Sequence, residues 1–145
     1  MTIEQMEKRI ELLLCEDNIG DQRLTMEASR ASKVTNKLNI VGDGVEALAF
    51  LRKEKKYTGV PTPDLILLDL NIPGKDGREV LAEIKADADL KRIPVLILTI
   101  STSASDIKKM LDMHANGYIT KPVDPDQFQS IIKTTEEFWF GNIER

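Results

Sequence analysis

Short apolar runs alternate along this chain with stretches whose apolar residues recur at helical spacing, and this alternation restricts the fold more than any other feature. The runs occupy residues 12–15, 38–41, 65–68, 95–98 and 117–119. Three of them are continuously apolar, as expected for strands that are buried on both faces of a parallel sheet.

Five helices are predicted between and after these runs. Their apolar positions are Leu24, Ala28 and Ala31, then Val45, Leu48 and Leu51, then Val80, Leu81 and Ile84, then Ile107, Met110 and Leu111, and finally Phe128, Ile131, Ile132 and Thr135. Alternating strands and helices predict an α/β domain with right-handed crossovers, in which a five-stranded parallel sheet carries helices on both faces.

The length of 145 residues predicts one domain. We expect a short N-terminal extension over residues 1–9, the domain over 10–139, a C-terminal tail over 140–145 and no output domain. The formal net charge of -4 gives no support for direct nucleic-acid binding. No segment approaches the roughly 18–20 apolar residues that a membrane span needs, and the first residues contain no stretch of signal-peptide length. Because Cys15 is the only cysteine, a reducing compartment is favoured, and we expect a cytoplasmic protein.

Polar side chains follow four of the five predicted strands at the point where each strand ends. They are Glu16 and Asp17 after the first strand, Asp69 after the third with Asn71 two residues further on, Thr99 at the end of the fourth, and Lys121 with Pro122 after the fifth. Open α/β sheets place their sites at the carboxyl ends of the strands, so we expect these side chains to form one site.

This constellation and its spacing resemble the receiver domain of bacterial and archaeal response regulators, over residues 10–139. The resemblance rests on the polar residues just named and on the stretch DLNIPGKDG, residues 69–77, which joins them. Two further stretches, DGREVLAEIK at 76–85 and EEFWF at 136–140, look like those of the small receivers that partner cyanobacterial phytochrome-type histidine kinases. The resemblance implies a flavodoxin-like, CheY-like fold with strand order 2-1-3-4-5. It also implies a sensor histidine kinase as partner, which passes a phosphoryl group along a two-component phosphorelay to this chain and on to an unknown downstream protein.

In that strand order the first and third strands flank the point where the order reverses, which crowds the carboxylates of Glu16, Asp17 and Asp69 together. Like charges so close must be neutralised by protonation or by a cation. Hard carboxylate oxygens and a backbone carbonyl suit Mg²⁺, and in the family the residue at the position of Asn71 supplies that carbonyl.

The resemblance assigns a role to each remaining residue. Asp69 would attack the incoming phosphoryl group in line, while Lys121 and the metal offset its charge. Thr99 would then donate its hydroxyl to a phosphoryl oxygen, and the ring of Tyr118 would move into the space that Thr99 leaves. A changed surface on the fourth helix, fifth strand and fifth helix would follow. The family also implies a cis Lys121–Pro122 peptide bond. Such a protein phosphorylates itself and loses the group slowly, but it turns over no metabolite.

Three other functions compete with this interpretation. A phosphotransferase of the haloacid dehalogenase type needs a second acid two residues after the nucleophile, where this chain has Asn71. A flavodoxin needs a phosphate loop rich in hydroxyls and glycine after the first strand, whereas the sequence DNIGD at 17–21 would repel a phosphate. The third alternative is a pseudo-receiver that binds partners without phosphorylation. Ile100 stands where the family commonly has a small residue, so access to the site could be restricted.

The C-terminal aromatic residues allow two interpretations. Phe138, Trp139 and Phe140 fall within the last eight residues of the chain, and termini usually fray unless they are buried. Either the end of the last helix folds back on its own core, or Phe138 and Trp139 form the contact of a homodimer. Tyr118 is similarly open between plain core packing and the switch role that the family implies.

Overall fold

In this computed structural model, residues 9–141 are described, and five parallel strands form one sheet in the order β2-β1-β3-β4-β5. The strands are β1 (Ile10–Cys15), β2 (Asn36–Val41), β3 (Leu65–Asp69), β4 (Val95–Thr99) and β5 (Gly117–Thr120). The predicted fold and strand order are confirmed. All five strands extend one or two residues beyond the apolar runs, because the hydrogen-bonded ladder continues through pairs that include polar residues, such as Ile10 with Asn36 and Thr99 with Thr120.

Each of the five helices begins at a polar side chain that accepts a backbone N–H of the first turn, which satisfies a donor that the helix itself leaves free. The helices are α1 (Ile19–Ala31), α2 (Gly44–Leu51), α3 (Gly77–Ala86), α4 (Ala104–Asp112) and α5 (Pro125–Glu136). The capping residues are Asn18, Asp43, Asp76, Ser103 and Asp124. A 3₁₀ turn spans Lys55–Tyr57, and a π-helical turn, Glu137–Gly141, follows α5.

The sheet is buried on both faces, because side chains of a strand point alternately to its two sides. Leu12 and Leu14 of β1 pack with α1 and α5 on one face, in a core centred on Phe128. Leu13 and Cys15 face the opposite side, where α2, α3 and α4 complete the second core. Among the described residues, no helix is both long enough and apolar enough to cross a membrane.

For three helices, the apolar spacing predicted part of the buried face wrongly. Leu24, Val45 and Leu111 are exposed, although all three were predicted to face the core. Thr25 is buried in α1 instead, and this costs little because its hydroxyl donates to the carbonyl of Asp21 at 3.1 Å. Three apolar residues per helix define a broad stripe, so packing against the sheet decides the final rotation.

The π-helical turn after α5 folds back on its own domain. The indole N–H of Trp139 donates to the backbone carbonyl of Asp64, just before β3, at 2.7 Å. The ring of Phe138 meets that of Trp139 edge-on with centroids 5.0 Å apart, and Phe138 is 60% exposed. The side chain of Trp139 therefore packs against its own domain, and the dimer contact of Phe138 and Trp139 stays a prediction. The side chain of Phe140 lies outside the described residues.

Candidate functional site

Three carboxylates meet at the carboxyl edge of the sheet, as the sequence predicts. Asp69 ends β3, and Glu16 and Asp17 directly follow β1, the strand paired with β3. One oxygen from each of the three side chains lies within 4.8 Å of the others. Glu16 and Asp69 are buried, whereas Asp17 is exposed, so the cluster opens toward solvent on the side of Asp17.

Lys121 reaches into this cluster from the loop after β5. Its Nζ lies 2.6 Å from Asp69 Oδ2 and 2.5 Å from Glu16 Oε1. The backbone N–H of Lys121 donates to the carbonyl of Thr99 at 2.8 Å, which ties this loop to the end of β4, and the Lys121–Pro122 peptide is cis. Burial alone would lower the pKa of Lys121. The hydrogen bond to Asp69 and the contact with Glu16 outweigh it, so the pKa is raised and the ammonium stays charged.

The surroundings of the Glu16 carboxyl disfavour its ionised form. Burial raises the pKa of its carboxyl, and the neighbouring Asp69 raises it further, although Lys121 acts in the opposite direction. Glu16 Oε1 is paired with the ammonium of Lys121 at 2.5 Å and has no other partner within the described part of the chain. Three clustered carboxylates beside this single ammonium fit a divalent cation, for which hard oxygen donors are the preferred ligands.

Asp69 is held at both of its oxygens. Oδ2 contacts Lys121, and Oδ1 accepts the backbone N–H of Asn71 at 2.9 Å. The side chain of Asn71 is exposed, and the role of its carbonyl as a metal ligand stays a prediction.

Gly77 shapes the loop between Asp69 and α3, a constraint that the sequence analysis missed. The N–H of Gly77 donates to the carbonyl of Leu70 at 3.1 Å. A Cβ at position 77 would lie 2.5 Å from Leu70 Cα and 2.6 Å from the carbonyl oxygen of Asp69. Only glycine therefore lets α3 start so close to the acceptor.

The loop after β4 is pinned by a short chain of hydrogen bonds that starts at Thr99. Thr99 Oγ1 accepts the backbone N–H of Ser101 at 3.0 Å, and Ser101 Oγ donates to Asp106 Oδ2 at 2.6 Å. Ile100 is 83% exposed. Its branched side chain thus stands out in solvent at the rim of the site, next to a cavity of about 210 Å³ between this loop and α4.

Tyr118 lies on the edge strand β5 and is 39% exposed. The side chain of Tyr118 is therefore not packed in the core, which was one of the two roles considered for it. Tyr118 has contact with solvent, and its switch role stays a prediction.

Asp21 is a site residue that the sequence analysis did not identify. It lies in the first turn of α1, and its Oδ2 is 3.4 Å from Lys121 Nζ. The available signal was the acidic sequence DNIGD at 17–21, in which the sequence analysis gives a ligand role to Asp17 and no role to Asp21. Nothing in that stretch indicates which acid would face a lysine 100 residues away.

Comparison with known proteins gives matches over most of the chain. The response regulator receiver domain family matches residues 12–133. Response regulator Rcp1 of Synechocystis sp. is 44% identical over 132 residues, which are 91% of this chain and 90% of that protein. The probable methanogenesis regulatory protein FilR2 of Methanothrix harundinacea is 36% identical over 90% of this chain and 83% of its own length.

Solved structures agree with these matches. The phosphorylated cyanobacterial phytochrome response regulator RcpA is 50% identical, with a TM-score of 0.76 over 92% of this chain and 96% of that one. The Mn²⁺-bound form of Rcp1 is 45% identical, with a TM-score of 0.74 over 90% of this chain and 94% of the other.

Proposed function

The chain belongs to the response regulator receiver family, and on that premise we propose that Asp69 is the residue that accepts a phosphoryl group. Receiver domains act in two-component phosphorelay signalling and are not metabolic enzymes, so the phosphotransferase and flavodoxin alternatives are set aside. The observation that carries the proposal is the environment of Asp69. It is a buried carboxylate at a strand end, with a lysine ammonium 2.6 Å from one oxygen and two further carboxylates beside it.

Lys121 has the charge and the reach to assist the transfer. Its ammonium lies between Asp69 and Glu16, so a phosphoryl group arriving at Asp69 Oδ2 would meet a positive charge already in place. Thr99 ends the neighbouring strand, and its hydroxyl can donate to the new phosphoryl oxygens once it turns toward Asp69.

We propose Mg²⁺ as the cation for the acidic cluster, held by Glu16, Asp17 and Asp69, with the backbone carbonyl of Asn71 as a fourth ligand. When bound, Mg²⁺ would offset the negative charge of the phosphoryl group. The existence of an Mn²⁺-bound form of the relative Rcp1 supports a divalent cation in this chain.

A movement of Thr99 toward Asp69 would release Ser101, because the Thr99 hydroxyl oxygen now accepts the Ser101 N–H. Ser101 is in turn bonded to Asp106 in α4, so the change would pass to that helix. Tyr118, on the adjacent strand and partly exposed, is the proposed switch residue that follows Thr99 inward. The result would be a different surface for an unknown downstream protein.

A sensor histidine kinase of the phytochrome type is the proposed donor, since the similar structures include a cyanobacterial phytochrome response regulator and a bacteriophytochrome response regulator. A cytoplasmic location would follow from that partner.

We also propose a homodimer whose contact includes Phe138. Its exposed ring lies next to an apolar groove formed with Leu96 and Ile131. Trp139 would contribute by orienting Phe138, because its own indole is bonded to Asp64. Light scattering on wild type and Phe138→Ala should show a loss of dimer in the variant, and an unchanged mass would remove this contact.

Intact-mass spectrometry after incubation with acetyl phosphate, with and without Mg²⁺, tests the function on wild type and Asp69→Asn. The expected result is one phosphoryl adduct that requires the metal and disappears in the variant. A folded wild-type protein that gains no adduct under any condition would instead identify a pseudo-receiver or a site blocked by Ile100, and Ile100→Ala separates these two.

A further inference from the structure

Among residues 9–141, Asp21 is the one carboxylate in contact with Lys121 that does not belong to the three-carboxylate cluster. Its Oδ2 lies 3.4 Å from Lys121 Nζ, whereas the other two contacts of this ammonium, Glu16 and Asp69, are also members of the cluster. A bound cation would therefore engage Glu16 and Asp69 but leave Asp21 uncompensated except by Lys121.

The extra carboxylate decides the net charge at the acceptor. The four acids Glu16, Asp17, Asp21 and Asp69 against the single ammonium of Lys121 leave a net charge of -3 when all are ionised. A divalent cation changes this to -1. Without Asp21 the cation-loaded site would be neutral, so Asp21, which is outside the three-carboxylate cluster, supplies the charge that leaves the site net negative toward an incoming anion.

We propose that Asp21 is a specificity-determining residue that disfavours small phosphodonors with two negative charges, such as acyl phosphates, relative to donors whose phosphorus is bonded to a protonated nitrogen. The proposal rests on Asp69 being the phosphoryl acceptor. The side chain of Asp21 is about one third exposed, so it acts by charge on the approaching donor and need not touch the transferred group.

The two donor classes deliver the same phosphoryl group to the same oxygen. With acetyl phosphate, an Asp69 oxygen forms a bond to phosphorus as the phosphorus–oxygen bond breaks, and the electron pair leaves with acetate. With phosphoramidate, the phosphorus–nitrogen bond breaks and the pair leaves with ammonia, whose protons are already on the nitrogen. A phosphohistidine donor also has a phosphorus–nitrogen bond, and its compensating proton is on the other ring nitrogen, so the pair leaves with a neutral imidazole. Phosphoramidate carries one net negative charge fewer than acetyl phosphate at neutral pH.

The ratio of the two phosphorylation rates isolates donor charge, because any change in how Lys121 or the cation assists the shared phosphoryl group affects both rates alike. The variant Asp21→Asn keeps the shape of the side chain. It also keeps the two backbone contacts of residue 21, which are the N–H to Asn18 at 2.9 Å and the carbonyl to Thr25 at 3.1 Å. Glu27→Gln is the matched control, since it removes one negative charge from an exposed position on the same helix.

Rates are measured by intact-mass time courses with each donor in Mg²⁺. In Asp21→Asn the acetyl phosphate to phosphoramidate rate ratio should rise about threefold or more, and this gain should shrink as salt is added. Glu27→Gln should leave the ratio near the wild-type value. Asp21→Ser, a second neutral variant, should move the ratio in the same direction and guards against an effect specific to asparagine.

An unchanged ratio in both Asp21 variants would overturn the proposal, even if both rates fall together, because Asp21 would then only position Lys121. A rise in the ratio of equal size in Glu27→Gln would overturn it as well. If neither the wild type nor Ile100→Ala takes a phosphoryl group from either donor, Asp69 is refuted as the acceptor.

Discussion

Lys121 Nζ lies 2.6 Å from Asp69 Oδ2, so the proposed acceptor is already an ion pair before any phosphoryl group arrives. The same ammonium contacts Glu16, which is almost completely buried. The ammonium of Lys121 thus stabilises two carboxylates, one after β1 and one at the end of β3, that would otherwise repel each other.

Replacement of Lys121 by alanine should therefore destabilise the metal-free protein by about 2–4 kcal/mol, since buried carboxylates would lose their counter-charge. Added Mg²⁺ should restore part of the loss by binding the folded state. Urea unfolding with and without Mg²⁺ measures both effects. The control is Lys108→Ala, which removes an exposed ion pair with Asp112 and should cost less than about 1 kcal/mol. Equal losses in the two variants would contradict the expected role of Lys121.

Gly77→Ala should destabilise the fold by about 1–3 kcal/mol, because the added methyl group would meet backbone atoms of Leu70 and Asp69 that cannot move independently of β3. Gly59→Ala is the matched control, since a Cβ at position 59 has no heavy atom within 4 Å. Chemical unfolding should give a clearly lower free energy of unfolding for Gly77→Ala than for Gly59→Ala. Phosphorylation of Gly77→Ala should also be slower, because the loop that carries Asn71 would shift. Equal free energies of unfolding for Gly77→Ala and Gly59→Ala would argue against this close packing.

Trp139→Phe should lower stability by about 0.5–1.5 kcal/mol through loss of the hydrogen bond to the Asp64 carbonyl. Asp64 directly precedes β3 and Asp69 is its last residue, so the two lie roughly 16 Å apart along the strand. The phosphorylation rate should therefore not change. Thermal unfolding and the intact-mass assay measure the two quantities. A slower rate with intact folding would reveal coupling between the chain end and the site.

Asp64 should make the stability depend on pH in the acid range. Burial raises the pKa of its carboxyl, and the charge of Glu11 adds to this, while the N–H of Glu11, which donates to Asp64 Oδ2 at 2.8 Å, lowers it. Because the folded-state pKa lies above the unfolded value near 3.8, this residue stabilises the protein fully below that pH. The contribution is lost as the pH rises through the folded-state pKa.

Asp64→Asn should accordingly be more stable than wild type at neutral pH, and the difference should vanish in strong acid. The asparagine can still accept the N–H of Glu11, so the variant changes charge and little else. Unfolding free energies across the acid range provide the measurement, with the exposed Asp112→Asn as control. A wild type that is more stable than Asp64→Asn at neutral pH would show that the ionised carboxylate is favoured in the fold.

The meeting of Glu16, Asp17 and Asp69 could be predicted from sequence, because each follows an apolar run and parallel strands place their carboxyl ends at one edge of the sheet. Lys121 was predicted on the same ground, and the family comparison confirms the resemblance on which the strand order rested. These residues are placed by backbone topology, which the alternation of apolar runs and helical segments already expresses.

Other features depended on packing between parts of the chain that are far apart in sequence. The contact of Asp21 with Lys121, the backbone approach at Gly77 and the destination of Trp139 each join segments that no local pattern relates. The exposure of Leu24, Val45 and Leu111 also depended on tertiary packing, since the rotation of a helix about its axis is set by what the sheet can accommodate. Periodic apolar spacing therefore determined the elements and the edge that carries the chemistry, whereas the order of the strands in the sheet came from the family resemblance. Only the tertiary structure decided which long side chains touch there, because distances of a few ångströms between remote residues are set by close packing of the whole domain.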